Sequence, residues 1–344
     1  MKIYISQLIV GLMNAELFLI DLYKEKINMR IIESNVREIK ETDLLKKIEM
    51  IGRTCYKSNN LIKEGSAEKF VRGLSTSKHY AMLEHGIVHF YITDVLEVGY
   101  LFNLPDQAHI LMDKYTYLTE LPKSNDWLWT VNLRTLVEIS EIDGHIKEMA
   151  KMLLAKYAFA LGLKEKDEQT PFFTEYQNIY TLSDDIVVDL LDVNFDDAEE
   201  FEREYNKHIF KTFLLTTDRG VTHELVRHRP CSFAQASTRY CNYSKDKFGN
   251  EITVIKPLFD ENSDAYRIWK QGCEHDEKTY FDLLNCGCKP EEARGNLPTD
   301  LATELIITAN LEEWNHIFDL RYKGTTGKPH PKCKEVIEKV YNLF

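Results

Sequence analysis

Apolar residues recur on one helical face at Leu44, Leu45, Ile48 and Ile51, which predicts an amphipathic helix over 41–53. The same period returns near 66–75 and again from Ile146 to Leu161. Ile87 to Ile92 (Ile-Val-His-Phe-Tyr-Ile) is short, β-branched and aromatic and therefore predicts a strand, as does Trp127 to Val131. Ile209 to Thr217 predicts another strand, leading into a helix from about 219 to 229. Beyond it come a strand at Ile252 to Ile255, a long amphipathic helix over roughly 261–285 and an apolar run at Leu305 to Thr308. Helical spacing follows from Leu311 to Tyr322, with a final helix over 332–343. Helices and strands intermix without internal repeat or low-complexity linker. The expected class is α+β, a mixed sheet flanked by helices. The expected organisation is an extension over 1–28 and a single domain over 29–344 with a large insertion at about 94–207.

Composition narrows this only slightly. With 344 residues, 44% of them hydrophobic, the chain can bury one large core or two modest ones. Within the extension, Ile3 to Ala15 is interrupted by Ser6, Gln7 and Asn14, too short and polar a run to cross a bilayer. It reads as a peripheral element, or as a start-site extension ahead of Met29, and no membrane association is expected. Seven cysteines, an odd number without a regular framework, make a reducing, cytoplasmic setting the default. Cys286-Gly-Cys288 has no second pair at ligand spacing, so no metal is expected.

Charge changes the picture more. The formal net charge is −12, yet residues 184–204 hold ten acids against Arg203 alone, which accounts for −9 of it. That run reads as a solvated face or loop. Residues 218–240 carry +2, with Arg227, Arg229 and Arg239 inside thirteen residues. Arginine holds phosphate through paired hydrogen bonds. A small basic cluster in an acidic chain points to a local anion site. It argues against a nucleic-acid-binding module, which would show a broad basic face and steeply salt-dependent binding.

The cluster reads Arg227-His-Arg-Pro-Cys-Ser-Phe-Ala-Gln-Ala-Ser-Thr-Arg-Tyr240. His223-Glu-Leu-Val-Arg-His228 has its histidines five apart, about 140° around a helix, so a zinc-protease arrangement fails. Arg227 and Arg229, two apart, would point about 200° from one another on a helix and could share one phosphate only if the helix has ended. They would serve two anionic groups, or a ligand and a structural carboxylate; pairing with surface acids is the bland alternative. Ser237-Thr-Arg239 adds hydroxyl and guanidinium donors suited to a phosphomonoester. Ser237 lacks His/Asp partners at nucleophile spacing and Cys231 is not needed as a nucleophile.

Arg227-His-Arg229, seven residues, then Ser237-x-Arg239 resembles the RHR-x7-S-x-R signature of flavin-dependent thymidylate synthases. His79-Tyr-Ala-Met-Leu-Glu-His85 is similar to that family's upstream H-x5-H segment, and Glu291-Glu-Ala-Arg294 to its E-x-x-R. The resemblance covers roughly 35–93 and 208–335. It implies that family's fold and the reductive methylation of dUMP to dTMP. Methylenetetrahydrofolate would supply the carbon and reduced FAD the hydride, with NADPH regenerating the flavin, in a homotetramer with shared active sites.

Position by position, the resemblance implies that Glu224, Arg227, Gln235, Ala236, Ser237, Thr238, Arg239, Arg294 and Arg321 line the dUMP site. It implies that Ala81, Arg227, His228, Arg229, Gln235, Asn310, Glu312 and His316 line the FAD site, with His79 nearby. Arg321 is the expected catalytic residue, holding the N3/O4 edge of an anionic uracil. The nucleotide phosphate falls to Arg239, Ser237 and Arg294, and the flavin pyrophosphate to Arg229. Two positions depart from the family pattern: Ala81 replaces a hydroxyl residue, and Glu312 stands where an Arg is frequent. A carboxylate there would repel FAD phosphates. The alternative expectation is therefore a divergent, weakly active or silent nucleotide-binding paralogue.

Overall fold

The computed structural model describes residues 29–93, 98, 99, 101, 116–142, 145–163, 178–239, 241–245 and 249–344. The extension over 1–28, parts of the insertion and Tyr240 lie outside them. Ten strands are described: β1 Arg30–Ile32, β2 Asn35–Glu38, β3 Ile87–Ile92, β4 Thr116–Leu121, β5 Asp126–Asn132, β6 Ile179–Leu182, β7 Phe210–Asp218, β8 Ser232–Gln235, β9 Thr253–Ile255 and β10 Ala302–Asn310. With the helices around them they form a mixed α and β architecture, as the patterning predicts.

The described residues form two compact units, one of those up to Glu33 with Thr238–Ala302, the other of Ser34–Ser237 with Thr303–Phe344. In the first, β1 and β9 pair in parallel, Ile31 opposite Val254. The long helix Asp264–Asn285, capped by the Ser263 side chain on Tyr266 N, contributes buried Cys273 and Tyr280. Ile252, Val254, Cys273 and Leu301 form its buried cluster.

The second unit has two four-stranded sheets, ordered β2-β7-β10-β8 and β4-β5-β3-β6. In the first, β7 and β10 are mostly buried because both faces are covered. The helices Leu311–Phe318 and Pro331–Tyr341 supply Trp314, Phe318, Val336 and Ile337 to that core. Trp314 sits edge-on to Phe213 at 5.1 Å and donates its indole N–H to Lys211 O at 3.1 Å, which seats its helix. The second sheet is built around β3, and its other three strands all come from the insertion. The insertion thus completes a sheet started by the flanking chain.

The helix expected at 41–53 runs Leu44–Cys55, with the Asp43 side chain accepting from Lys46 N. That expected near 66–75 runs Ser66–Thr76. Ile87–Ile92 and the strand at Trp127 form as expected, the latter extended to Asp126–Asn132. The acidic run folds into helices Asp184–Asn194 and Ala198–His208, with nine of its ten acids exposed and Glu204 buried.

The helix expected over 146–161 stops at Leu153 and gives way to tight turns. Two carbonyls released there are taken up by side chains of Ser66–Thr76: Arg72 donates to Phe159 O at 2.8 Å and Ser75 to Leu161 O at 2.6 Å. Gly162, at φ +70°, closes the segment. The helix expected to reach about 229 is Arg219–Leu225. Pro230 bars helix beyond Arg229, since proline cannot donate a helical bond and disfavours helical backbone at the preceding residue, and the chain leaves the helix earlier still, after Leu225. The helix expected to reach Tyr322 ends at Phe318 and widens into a five-residue π-turn, Asp319–Lys323.

Candidate functional site

Strand β7 delivers Asp218, whose side chain caps the helix Arg219–Leu225 by accepting from Val221 N at 2.8 Å and pairs with Lys332 at 3.2 Å. The helix ends and the chain turns, His228 N bonding Leu225 O at 3.1 Å. The signature therefore lies off the helix, and the opposed directions expected for helical Arg227 and Arg229 do not apply. Both arginines are exposed, and His228 between them is buried.

Strand β8 then carries Gln235 out beside the helix, its amide donating to Thr222 Oγ1 at 3.0 Å and Thr303 Oγ1 at 3.4 Å. Ala236 is buried, with its N–H on Glu304 O, and Ser237 N bonds Cys55 O at 3.0 Å. Glu224 faces Arg321, which sits on the π-turn. Arg321 Nη1 donates to Glu224 Oε2 at 3.2 Å, Nη2 to Glu224 O at 3.3 Å, and Nε to His228 Nε2 at 3.3 Å. A guanidinium has five N–H donors, so two remain for a ligand. Gly324, at φ +75°, ends the turn, its N–H bonding Asp319 O at 2.8 Å. A Cβ there would lie 2.9 Å from Pro329 Cδ and 3.0 Å from Gly327 O, so only glycine fits.

Asn310 closes β10 and caps the helix Leu311–Phe318, its side-chain oxygen accepting from Glu313 N at 2.9 Å. Its amide donates to Lys207 O at 3.2 Å and is hydrogen-bonded to the Tyr117 hydroxyl. Both partners belong to the insertion. Burial, then the charges of Glu312 and Glu313, push the Tyr117 phenol up to about 12. Glu312 and His316 are exposed on the same helix, and the His316 ring lies 5.6 Å from that of His228, edge-on.

His79 and Ala81 are exposed at the start of the tight turn Tyr80–His85. Further along, buried His85 bonds Thr308 Oγ1 at 2.8 Å, and burial pushes its imidazole down to about 3. In the first unit, the E-x-x-R segment meets the end of the signature: Arg294 Nη1 is 3.5 Å from Thr238 Oγ1, and Arg239 pairs with Glu291 at 3.8 Å.

Three residues that sequence reasoning left aside belong to this neighbourhood. Tyr117 comes from the insertion and has no motif to mark it. Glu313 is 3.1 Å from His228 Nδ1 and also receives the Cys231 thiol, which burial and this carboxylate hold protonated. Cys231 is therefore unsuited to nucleophilic work. Asn310's partner Lys207 acts through its backbone carbonyl, which no sequence pattern reports.

Among the described residues one group has the makings of a metal site, His228, Glu313 and His316, with donor atoms all within 4.8 Å of one another. Arg321 only donates, so His228 Nε2 is the acceptor and Nδ1 carries the hydrogen directed at Glu313. A metal on Nδ1 would force the proton to Nε2, against the guanidinium. Arg227, Arg229 and His316 are exposed near the buried His228 in sequence or space, and Glu312 is exposed on the same helix as His316.

A model of the family described as Thymidylate synthase complementing protein matches residues 203–344. Over 116 residues the chain is 36% identical to a flavin-dependent thymidylate synthase of Pyrococcus furiosus and 35% to that of Pyrococcus abyssi, covering 33% of this chain and 47% of each relative. The chain thus spans about half the length of the curated relatives it matches. Among solved structures, a UMP/dUMP methylase from Streptomyces cacaoi bound with 5-Br UMP overlaps 47% of this chain and 83% of its own. It does so at 22% identity and a TM-score of 0.37, too loose an overlap to bear on the fold.

Proposed function

We propose that this chain, whose residues 203–344 match the model of the Thymidylate synthase complementing protein family, is a flavin-dependent thymidylate synthase converting dUMP to dTMP. Methylenetetrahydrofolate supplies the carbon in this reading, and NADPH the electrons. The working form is a cytoplasmic homotetramer whose subunits share active sites. Among the described residues no helix is long and apolar enough to cross a membrane.

The observation that carries the reading is the return of Arg321 onto the signature, where it bonds both His228 and Glu224. A permanent cation held from behind, with two N–H groups still to offer, is what the N3/O4 edge of a uracil anion requires. Uracil C5 becomes nucleophilic when negative charge on the ring is stabilised, and Arg321 stabilises it without giving up a proton. Gln235, fixed by Thr222 and Thr303, and Glu224 orient the pyrimidine. Arg239, Ser237 and Arg294 bind the phosphate dianion, where charge-assisted hydrogen bonds are strongest.

Arg227, His228, Arg229, Asn310 and His316 would hold the flavin, whose reduced ring supplies hydride when bound. Asn310 is fixed by the cap on Glu313 and by Lys207, so its position is set before any ligand arrives. No enzyme nucleophile takes part. Ser237 has a binding role, and Cys231 stays a thiol.

The test is direct. The purified chain, incubated with FAD and freed of unbound flavin, should retain a flavin absorption band, and with NADPH and methylenetetrahydrofolate it should turn dUMP into dTMP. A folded protein with no flavin band and no dTMP would sink the proposal.

A further inference from the structure

Glu313 meets His228 from the helix Leu311–Phe318, its carboxylate oxygen 3.1 Å from the ring nitrogen Nδ1. Both side chains are almost wholly enclosed, His228 at 4% exposure and Glu313 at 10%. The opposite ring nitrogen, Nε2, meets Arg321 Nε at 3.3 Å. These two contacts are not independent. An imidazole with Nδ1 protonated presents a lone pair at Nε2, and one with Nε2 protonated would turn an N–H toward a group that only donates.

We infer that Glu313 is a positioning residue: it locks His228 in the Nδ1–H tautomer and thereby holds the Arg321 guanidinium in place. The inference rests on the function proposed above only for what Arg321 then does. Glu313 is itself pre-set, since its backbone N–H is capped by Asn310 Oδ1 at 2.9 Å. One helix turn therefore links the candidate flavin ligand Asn310 to the candidate pyrimidine ligand Arg321, through Glu313 and His228.

The arrangement separates the carboxylate's acceptor role from its charge. Glu313→Gln keeps a carbonyl acceptor for Nδ1–H at the same volume, and Glu313→Leu removes it. The readout independent of turnover is the tautomer, followed by 15N NMR of histidine-labelled full-length protein, with His228→Gln assigning the signal. Wild type and Glu313→Gln should show Nδ1 protonated, and Glu313→Leu a shift toward Nε2–H. In dUMP turnover, Glu313→Leu should lose about tenfold or more in kcat, the scale on which a wrong tautomer or missing outer partner acts. Glu313→Gln should recover most of that loss, and the KM for dUMP should move much less than kcat.

A wild-type His228 protonated at Nε2 overturns the inference outright, even if Glu313→Leu fails to fold. So does a Glu313→Leu protein with an unchanged tautomer, or equal kcat losses in Gln and Leu, which would mean a merely structural carboxylate. Stoichiometric Zn2+ binding to wild type that displaces the Nδ1 proton and is lost in Glu313→Gln would also overturn it, in favour of a metal. If wild type makes no dTMP, the functional proposal falls while the tautomer measurement still decides this one.

Discussion

His89 and His208 meet at one hydroxyl: Thr130 Oγ1 lies 2.7 Å from a ring nitrogen of each, inside the sheet completed by the insertion. The chain of bonds continues from His89 to Asp184 at 3.0 Å and from His208 through Thr119, at 2.9 Å, to Glu204. It ties both acidic helices to the strands beneath them. Thr130→Val removes the central hydroxyl and leaves two buried ring nitrogens short of a partner. A loss of about 2–4 kcal/mol in urea unfolding is expected. An unchanged midpoint would mean the network does not hold the helices.

The same burial dictates a pH dependence. The imidazoles of His85 and His208 are both pushed down to about 3 by desolvation. Unfolded, each titrates near 6.5. A group whose folded pKa is depressed binds protons preferentially in the unfolded chain, so the stability it contributes is complete above about pH 6.5. It is lost as pH falls from there toward 3, at up to about 1.4 kcal/mol per pH unit for each histidine. Unfolding free energy should fall steadily between pH 7 and pH 4, and less steeply in His208→Gln. A flat profile would contradict buried neutral rings.

Tyr117 makes the insertion part of the candidate flavin site through its bond to the Asn310 side chain. Tyr117→Phe keeps the ring against His208 and Phe210 but removes that bond. The expected loss is about 1 kcal/mol, or roughly fivefold in flavin affinity, read by fluorescence titration. No change in affinity would separate the insertion from the site.

Glu312 is exposed two residues from Asn310, where a carboxylate would oppose an anionic dinucleotide. Glu312→Arg should tighten FAD binding by a few-fold at low salt, about 1 kcal/mol at solvent-screened distances, with the gain shrinking as salt rises. Weaker binding in this variant would show that the carboxylate serves the flavin in another way.

Gly324 controls Arg321 from three residues away. Gly324→Ala must relieve contacts of 2.9 and 3.0 Å in a left-handed conformation. The cost should be about 1–2 kcal/mol of stability. Because the strain falls on the π-turn, kcat for dUMP should drop well beyond the change in flavin affinity. Equal losses in both would point to general unfolding of the helix.

Much of this could be read along the chain. Ile87–Ile92 and the helix from Leu44 declare themselves because a two-residue or 3.6-residue period is local. The signature is equally plain, since a run of arginine, serine and histidine at fixed spacing needs no third dimension to be noticed. Where the period predicts more helix than forms, the competing partner can be distant in sequence: beyond Leu153 the carbonyls of Phe159 and Leu161 are taken by Arg72 and Ser75.

The sequence by itself determined which side chains bear charge and donors, where the amphipathic helices and most strands lie, and which family its motifs resemble. Local propensity and spacing suffice for those. Only the tertiary structure decided how the donors are used: that Arg227 and Arg229 leave the helix and flank a buried His228, that Arg321 returns to that ring and to Glu224, and that the insertion supplies Tyr117 and Lys207 to Asn310. A tautomer, a cap or a shared hydroxyl depends on groups about a hundred residues apart meeting within about 3 Å. No period or composition along the chain encodes such a meeting.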